Sequence, residues 1–120
     1  MRLAAVLFFA LAAGQWASFA AYPGARKLCD QHVSASGMEI SWQSYATDDP
    51  VERVVAFYEK DQKTKATTGD AGEKTIRAAA RADDILSIIA AERADKLPHC
   101  ETAPPAEAKT VIVVSSATRR

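Results

Sequence analysis

The chain lacks a charge excess of either sign, and it has only two cysteines among its 120 residues. Its 15 Lys and Arg balance its 15 Asp and Glu, which argues against a nucleic-acid-binding protein, because such proteins carry a basic face. Two cysteines are too few for a disulfide-dense miniprotein or for a four-cysteine zinc site. A chain of this length is expected to form one domain.

Large apolar side chains are scarce once the first 20 residues are set aside. Residues 21–120 contain 7 Val, 6 Ile, 3 Leu and 1 Phe, against 18 Ala. Because alanine removes little surface from water, we expect a thin core. A covalent link between distant parts of such a domain would contribute a large share of its stability.

The first 20 residues have the pattern of an export signal. Arg2 supplies a positive start, residues 3–13 form an uncharged apolar run, and Ser18 and Ala20 place small residues at the −3 and −1 positions of a cut after Ala20. The apolar run is about half as long as the ~20 residues that a membrane span needs. We therefore expect a signal peptide at residues 1–20. The domain of residues 21–120 is expected in the periplasm or outside the cell, without a stable membrane anchor.

The clearest local signal is the segment Thr47–Pro50, which predicts the start of a helix. Asp49 can cap a helix that begins at Pro50, and Glu52 can complete a capping box. The apolar residues that follow have helical spacing and form one face: Val51, Val54, Val55 and Tyr58.

Two segments have strand patterns. Residues 38–45 alternate, with Met38, Ile40 and Trp42 on one face, which predicts a half-buried strand. The β-branched run at residues 110–115 predicts a central strand that is covered on both faces.

The remaining segments leave one alternative open. Residues 74–96 are interpreted as a hairpin, and the alternative is a helix from about Asp84 to Lys96. A short helix is expected at residues 25–31. The order strand-helix-hairpin-strand predicts a single small α+β domain, in which one N-capped helix packs on a mixed β-sheet of about three to four strands.

These segments resemble a pattern in small exported bacterial proteins of unassigned function. The stretches that carry the resemblance are Tyr22–Gly24, Ile40–Trp42, Tyr45–Pro50, Val54–Tyr58 and Val111–Ser115. The resemblance implies an exported α+β domain. It implies no activity, and no catalytic residue can be transferred from it.

Cys29 and Cys100 are the only thiols, and an oxidising compartment would join them in a disulfide. The alternative is a periplasmic metal-binding protein in which Cys29, His32, His99 and Cys100 hold the ion. The adjacent His99 and Cys100 fit this alternative poorly, because zinc ligands in proteins are usually spaced by two or more residues.

The same histidines offer a third interpretation, a small enzyme that uses His32 or His99 as a general base beside Asp30 or Glu101. The sequence has no nucleophile motif to accompany such a base.

Two acidic pairs, Asp48–Asp49 and Asp83–Asp84, are assigned to helix capping and to a turn, because neither has the spacing of a calcium loop. The sequence as a whole predicts an exported, non-catalytic domain without a cofactor. We expect it to bind an unknown protein or small-molecule partner, or to serve a structural role.

Overall fold

The computed structural model describes residues 14–97 and 102–119. Within them the fold is mostly β, with a six-stranded antiparallel sheet, a two-stranded sheet and one α-helix. The strands are β1 (Gln15–Trp16), β2 (Phe19–Ala20), β3 (Arg26–Ala35), β4 (Met38–Thr47), β5 (Thr67–Thr68), β6 (Lys74–Arg77), β7 (Asp84–Ala90) and β8 (Thr110–Arg119). Helix α1 is Val51–Gln62, and a 3-10 helix covers Ala91–Lys96.

The order of strands in the large sheet is β3-β4-β8-β7-β6-β5, and every neighbouring pair is antiparallel. The last strand of the chain therefore lies in the middle, where Ile112 of β8 is opposite both Tyr45 of β4 and Ile88 of β7. The expected α+β fold, with a mixed sheet of three to four strands, is wrong: six antiparallel strands dominate the domain.

Much of the error comes from β3, which includes most of the segment expected to form a short helix at residues 25–31. Ser36 and Gly37 both have positive φ values, 50° and 78°, which is the conformation of a tight type I′ hairpin turn. The turn joins β3 to β4, and β3 pairs with β4 along nearly its whole length, from Ala35 opposite Met38 to Arg26 opposite Ala46. An isolated helix of seven residues is marginal, so the long hairpin is the more stable arrangement.

The helix is confirmed, and so is a hairpin in the segment 74–96, although its second strand ends at Ala90 and residues 91–96 form the 3-10 helix. The side-chain cap of the helix is wrong. The N-cap position is Pro50, and no side chain caps the helix there. The Asp49 carboxylate instead accepts a hydrogen bond from the Tyr22 hydroxyl at 2.6 Å. The reason is that the Tyr22 ring is buried, and a buried hydroxyl requires a partner.

The middle of the large sheet is covered on both faces, and α1 lies on one of them. On the helix face, Val54 and Tyr58 of α1 pack with strand residues, and the buried set is Phe19, Tyr22, Tyr45, Val54, Tyr58, Ile76, Ala78, Leu86, Ile88, Ile112 and Val114. The opposite face, called the back face here, has a smaller cluster of Ile89, Leu97, Val111 and Val113. In the described part of the chain, no helix is long and apolar enough to cross a membrane.

The small β1–β2 hairpin completes the helix face. Phe19 is fully buried and meets the Tyr58 ring edge-on, with 6.2 Å between ring centroids. The Trp16 ring stacks on the Tyr45 ring with 3.7 Å between ring centroids. The Tyr58 hydroxyl donates a hydrogen bond to the Ala20 carbonyl at 2.7 Å. These residues therefore contribute to the core, although the sequence assigns them to the end of a signal peptide.

Candidate functional site

The proposed metal ligands Cys29 and His32 lie on opposite faces of the sheet. Cys29 is opposite Ser44 and His32 is opposite Ser41, and side chains three apart in a strand point in opposite directions. Within residues 14–97 and 102–119, no three His, Cys, Asp or Glu side chains lie close enough together to hold a metal ion. His99, Cys100 and Glu101 lie outside the described residues.

His32 belongs to an exposed polar cluster near the tip of the β3–β4 hairpin. Its Nε2 pairs with Glu39 Oε1, and the Ser34 hydroxyl donates to the same oxygen at 2.8 Å. These two contacts hold the pKa of Glu39 below its ordinary value, the Ser34 hydrogen bond being the larger cause. In a catalytic triad the histidine lies between the nucleophile and the carboxylate. Here the carboxylate lies between the other two, so histidine has no path to take a proton from serine.

Asp84 is the most buried charged group in the described part of the chain, with 3% of its surface exposed. Its carboxylate accepts hydrogen bonds from Ser116 at 2.6 Å, from Ser18 at 2.5 Å and from the Arg81 guanidinium. Burial raises the pKa of this carboxyl, but the three donors together outweigh burial and hold the pKa below its ordinary value. Asp84 thus joins the β1–β2 hairpin to the sheet through Ser18. The sequence assigns Asp84 to a turn, but the turn ends at Asp83 and Asp84 is the first residue of β7.

A groove of 410 Å³ lies between the Tyr22–Pro23 turn and α1. Its floor is aromatic, with Phe57 edge-on to Tyr22 at 5.1 Å between ring centroids. The Tyr22 hydroxyl is tied to Asp49, and burial together with that carboxylate raises the pKa of Tyr22 to about 12. Tyr22 is therefore a neutral, fixed part of the wall throughout the physiological pH range.

Two cations stand at the rim of this groove. Arg53, with 70% of its side chain exposed, lies 3.9 Å from Asp49, and Lys60 is also exposed. The helix residues in the lining have the spacing of one helical stripe: Arg53, Ala56, Phe57 and Lys60. Sequence reasoning missed this stripe because the neighbouring one, which ends in Tyr58, has the same spacing and is more apolar.

No protein-family model, curated protein or solved structure matches this chain.

The geometry around Cys29 supports the expected disulfide. No described cysteine is free. Leu97 is buried in the back-face cluster against which Leu28 packs, and Cys100 follows only three residues later, a reach of about 10 Å for an extended chain. Because Cys100 lies outside the described residues, its link to Cys29 stays a prediction.

We expect the mass of the oxidised protein to show no alkylatable thiol before reduction and two after it. The disulfide closes a loop of about seventy residues, for which the chain-entropy model gives roughly 4 kcal/mol of stability. Cys29→Ser and Cys100→Ser should each lower the urea midpoint, and the double variant should be little worse than either. Two alkylatable thiols in protein taken from its native compartment would contradict the disulfide.

Asp84→Asn should lower the free energy of unfolding at pH 7 by about 2 kcal/mol, the usual range for losing hydrogen bonds to a charged group. Because the native pKa is lowered, the carboxylate stabilises the fold fully above the ordinary Asp value of about 3.9, and this contribution is lost as the pH falls below it. Urea melts at pH 7 and pH 2.5 should therefore show the gap between the parent and Asp84→Asn closing in acid.

The matched control is Asp83→Asn, because Asp83 is the exposed neighbour. It should melt like the parent at both pH values. A gap between the parent and Asp84→Asn that is the same at pH 7 and at pH 2.5 would contradict the lowered pKa.

Proposed function

We propose that this chain is an exported, non-catalytic binding domain, and that its groove between Tyr22 and α1 holds an acidic, partly apolar peptide segment of a protein partner. The observation that carries the proposal is the combination of an aromatic floor with two exposed cations at the rim. Groups at such a rim attract an anion and orient it, while the floor gains free energy by burying an apolar side chain.

The groove is largely preformed, which lowers the entropy cost of binding. Tyr22 is held by its hydrogen bond to Asp49 and by ring contacts with Phe57 and Tyr58. Asp49 is itself fixed, because its carbonyl accepts a hydrogen bond from Thr110 at 2.6 Å. The volume of 410 Å³ falls within the usual range of ligand sites, about 300–1,000 Å³.

The spacing of the two cations indicates the length of the peptide. Arg53 and Lys60 are two helical turns apart, a rise of about 10 Å. In an extended peptide, side chains on one face are two or four residues apart, and residues four apart are separated by about 13 Å, a difference that the long Arg and Lys side chains can bridge. The groove therefore suits a segment with acidic residues four positions apart and an apolar side chain midway between them, all on one face.

The two other functions considered have less support from the described residues. A metal site using Cys29 and His32 would need side chains that β3 sends to opposite faces. An enzyme using His32 would need a proton path that the Ser34–Glu39–His32 arrangement does not supply.

Export is part of this proposal, and the fold bears on where a signal peptide would end. A cut after Ala20 would remove Phe19 from the core and leave the Tyr58 hydroxyl without its acceptor. A cut upstream of Gly14 would keep the β1–β2 hairpin, and Ala10 and Ala12 also place small residues at −3 and −1. The packing favours the upstream cut.

For the groove, we expect the pentapeptide acetyl-Glu-Ala-Phe-Ala-Glu-amide to shift the amide NMR signals of Phe57 and Lys60, while acetyl-Lys-Ala-Phe-Ala-Lys-amide does not. Arg53→Glu and Lys60→Glu should each weaken binding about tenfold, since each replaces an attraction by a repulsion. Ala56→Tyr should block binding by filling the groove from the exposed helix surface.

The matched control for the groove is Lys65→Glu, the same charge change at an exposed residue outside the lining. Equal loss of binding in Lys65→Glu and Lys60→Glu would mean that net charge alone attracts the peptide. Equal binding of the acidic and the basic peptide would rule out the proposed groove.

For export, we expect the protein to be recovered outside the cytoplasm with an intact mass that begins at Ala13. A mass that begins at Ala21 would restore the boundary inferred from the sequence and would require the domain to fold without Trp16 and Phe19. Recovery of the whole chain in the membrane fraction would contradict export with cleavage.

A further inference from the structure

The two edges of the large sheet are unequal. β5, at one edge, has only two residues, which is a common way to protect an edge from pairing. β3, at the other edge, has ten residues, no proline and eight exposed positions. Among the residues that the structure describes, no strand pairs with its outer side.

Only the first part of β3 is protected. The pairing with β4 has a bulge between Lys27 and Cys29, and from Cys29 to Ala35 the register is regular. Val33 in this regular part is 43% exposed, the large hydrophobic side chain most open to solvent in the described ranges. A long regular edge with an exposed hydrophobic residue is a template for another strand.

We infer that β3 pairs antiparallel with β3 of a second copy of this chain, so that two six-stranded sheets become one. A second β3 is identified as the partner strand because β3 is complementary to itself in its backbone groups and in its charges. A two-fold axis would bring the same residues of both copies together, as in most protein homodimers. The register then follows from the backbone and from charge.

The backbone restricts the register. Ala35 and Met38 flank the two-residue turn of Ser36 and Gly37 and lie opposite each other. The residues that flank such a turn form a hydrogen-bonded pair, so the backbone groups of Ala35 are expected to point toward β4. Strand alternation then points the N–H and C=O groups of Asp30, His32 and Ser34 outward. Outward groups of one copy must pair with outward groups of the other. The two-fold axis therefore lies between one residue of β3 and the same residue of the second copy, so that this residue is opposite itself.

Two such registers use nearly all of β3, one centred on Asp30 and one centred on Gln31. The register centred on Asp30 places that carboxylate directly opposite its own copy, and like charges in this position are destabilising. The register centred on Gln31 places Asp30 opposite His32 of the second copy, twice over by symmetry. The imidazole can donate to the carboxylate, so the second register is the one we assign.

The side chains of the assigned register are compatible with their present partners. Asp30 already pairs with Lys27 at 2.6 Å, and a carboxylate can accept further donors. His32 contacts Glu39 through Nε2, which leaves Nδ1 for the second copy. On the back face, Val33 would lie opposite Cys29 of the second copy and lose much of its exposure to water.

The first test is the oligomeric state of the full chain by light scattering across a concentration series. We expect a concentration-dependent rise to twice the mass of one chain. His32→Pro should raise the dimer dissociation constant at least tenfold, because it removes an outward N–H that the β3–β4 ladder does not use. His32→Ala is the matched control, since it removes the same ring but keeps the N–H, and its effect should be smaller.

The second test is a cross-link that depends on the register. Gln31→Cys would place two thiols on the two-fold axis, with Cα atoms about 4.5 Å apart, within the range of a disulfide. It should yield a covalent dimer under mild oxidation. Ser34→Cys, whose copies would lie about 20 Å apart in this register, should not.

A chain that stays monomeric up to millimolar concentration would overturn the inference. A dimer that withstands His32→Pro and gives no Gln31→Cys cross-link would also overturn it, because its interface would lie elsewhere. If His32→Pro fails to fold, Asp30→Lys provides the same test, since it places a cation opposite the imidazole of the second copy and should weaken the dimer.

Discussion

The burial of β8 on both faces is the constraint on which the rest of the fold depends. Residues 111–114 are almost completely removed from water, and β8 pairs with β4 on one side and with β7 on the other. Its side chains alternate between the two faces, so a cover on one face alone would leave half of them in water. Helix α1 and the β1–β2 hairpin supply one cover, and the 3-10 helix with Leu97 supplies part of the other.

The groove and the β3 edge, which we propose as binding surfaces, lie where these covers end. α1 turns its buried stripe toward Ile112 and its neighbours, so the adjacent stripe with Arg53 and Lys60 is left beside the Tyr22 turn and forms the groove. The β3–β4 hairpin extends past both covers, and most of the side chains of β3 are exposed there, Val33 among them. The polar cluster of His32, Ser34 and Glu39 lies near the tip of this hairpin, where its contacts link β3 to β4.

The sequence predicted those elements whose local signal agrees with their tertiary role. The β-branched run of β8 predicts a buried central strand, and the apolar spacing that ends at Tyr58 predicts α1. The prediction of a side-chain N-cap failed because the Asp49 carboxylate accepts a hydrogen bond from the Tyr22 hydroxyl, a partner 27 residues away in sequence. The prediction for β3 failed because the residues of this segment do not alternate clearly, and only the Ser36–Gly37 turn reveals that the segment pairs with β4.

The candidate sites were harder to predict, because they depend on which distant residues meet. Cys29 and His32 have the spacing of metal ligands, but that spacing brings two side chains together on a helix or in a tight turn, and β3 is an extended strand. Asp84 looked like a turn residue, since nothing local shows that Ser18 and Ser116 converge on it. The stripe of α1 that lines the groove was missed because the neighbouring stripe has the same period and is more apolar.

The end of the proposed signal peptide shows why one segment can satisfy two patterns at once. A cleavage site needs small residues at −3 and −1, and Ser18 and Ala20 provide them. A short strand that packs on a core contributes a buried apolar side chain, and Phe19, between the same two residues, is fully buried. The domain has few large apolar side chains elsewhere, so the free energy gained by burying Phe19 and stacking Trp16 on Tyr45 is a large share of what holds the helix face together. An export signal that ended after Ala20 would therefore have to be cut from a chain that has not yet folded.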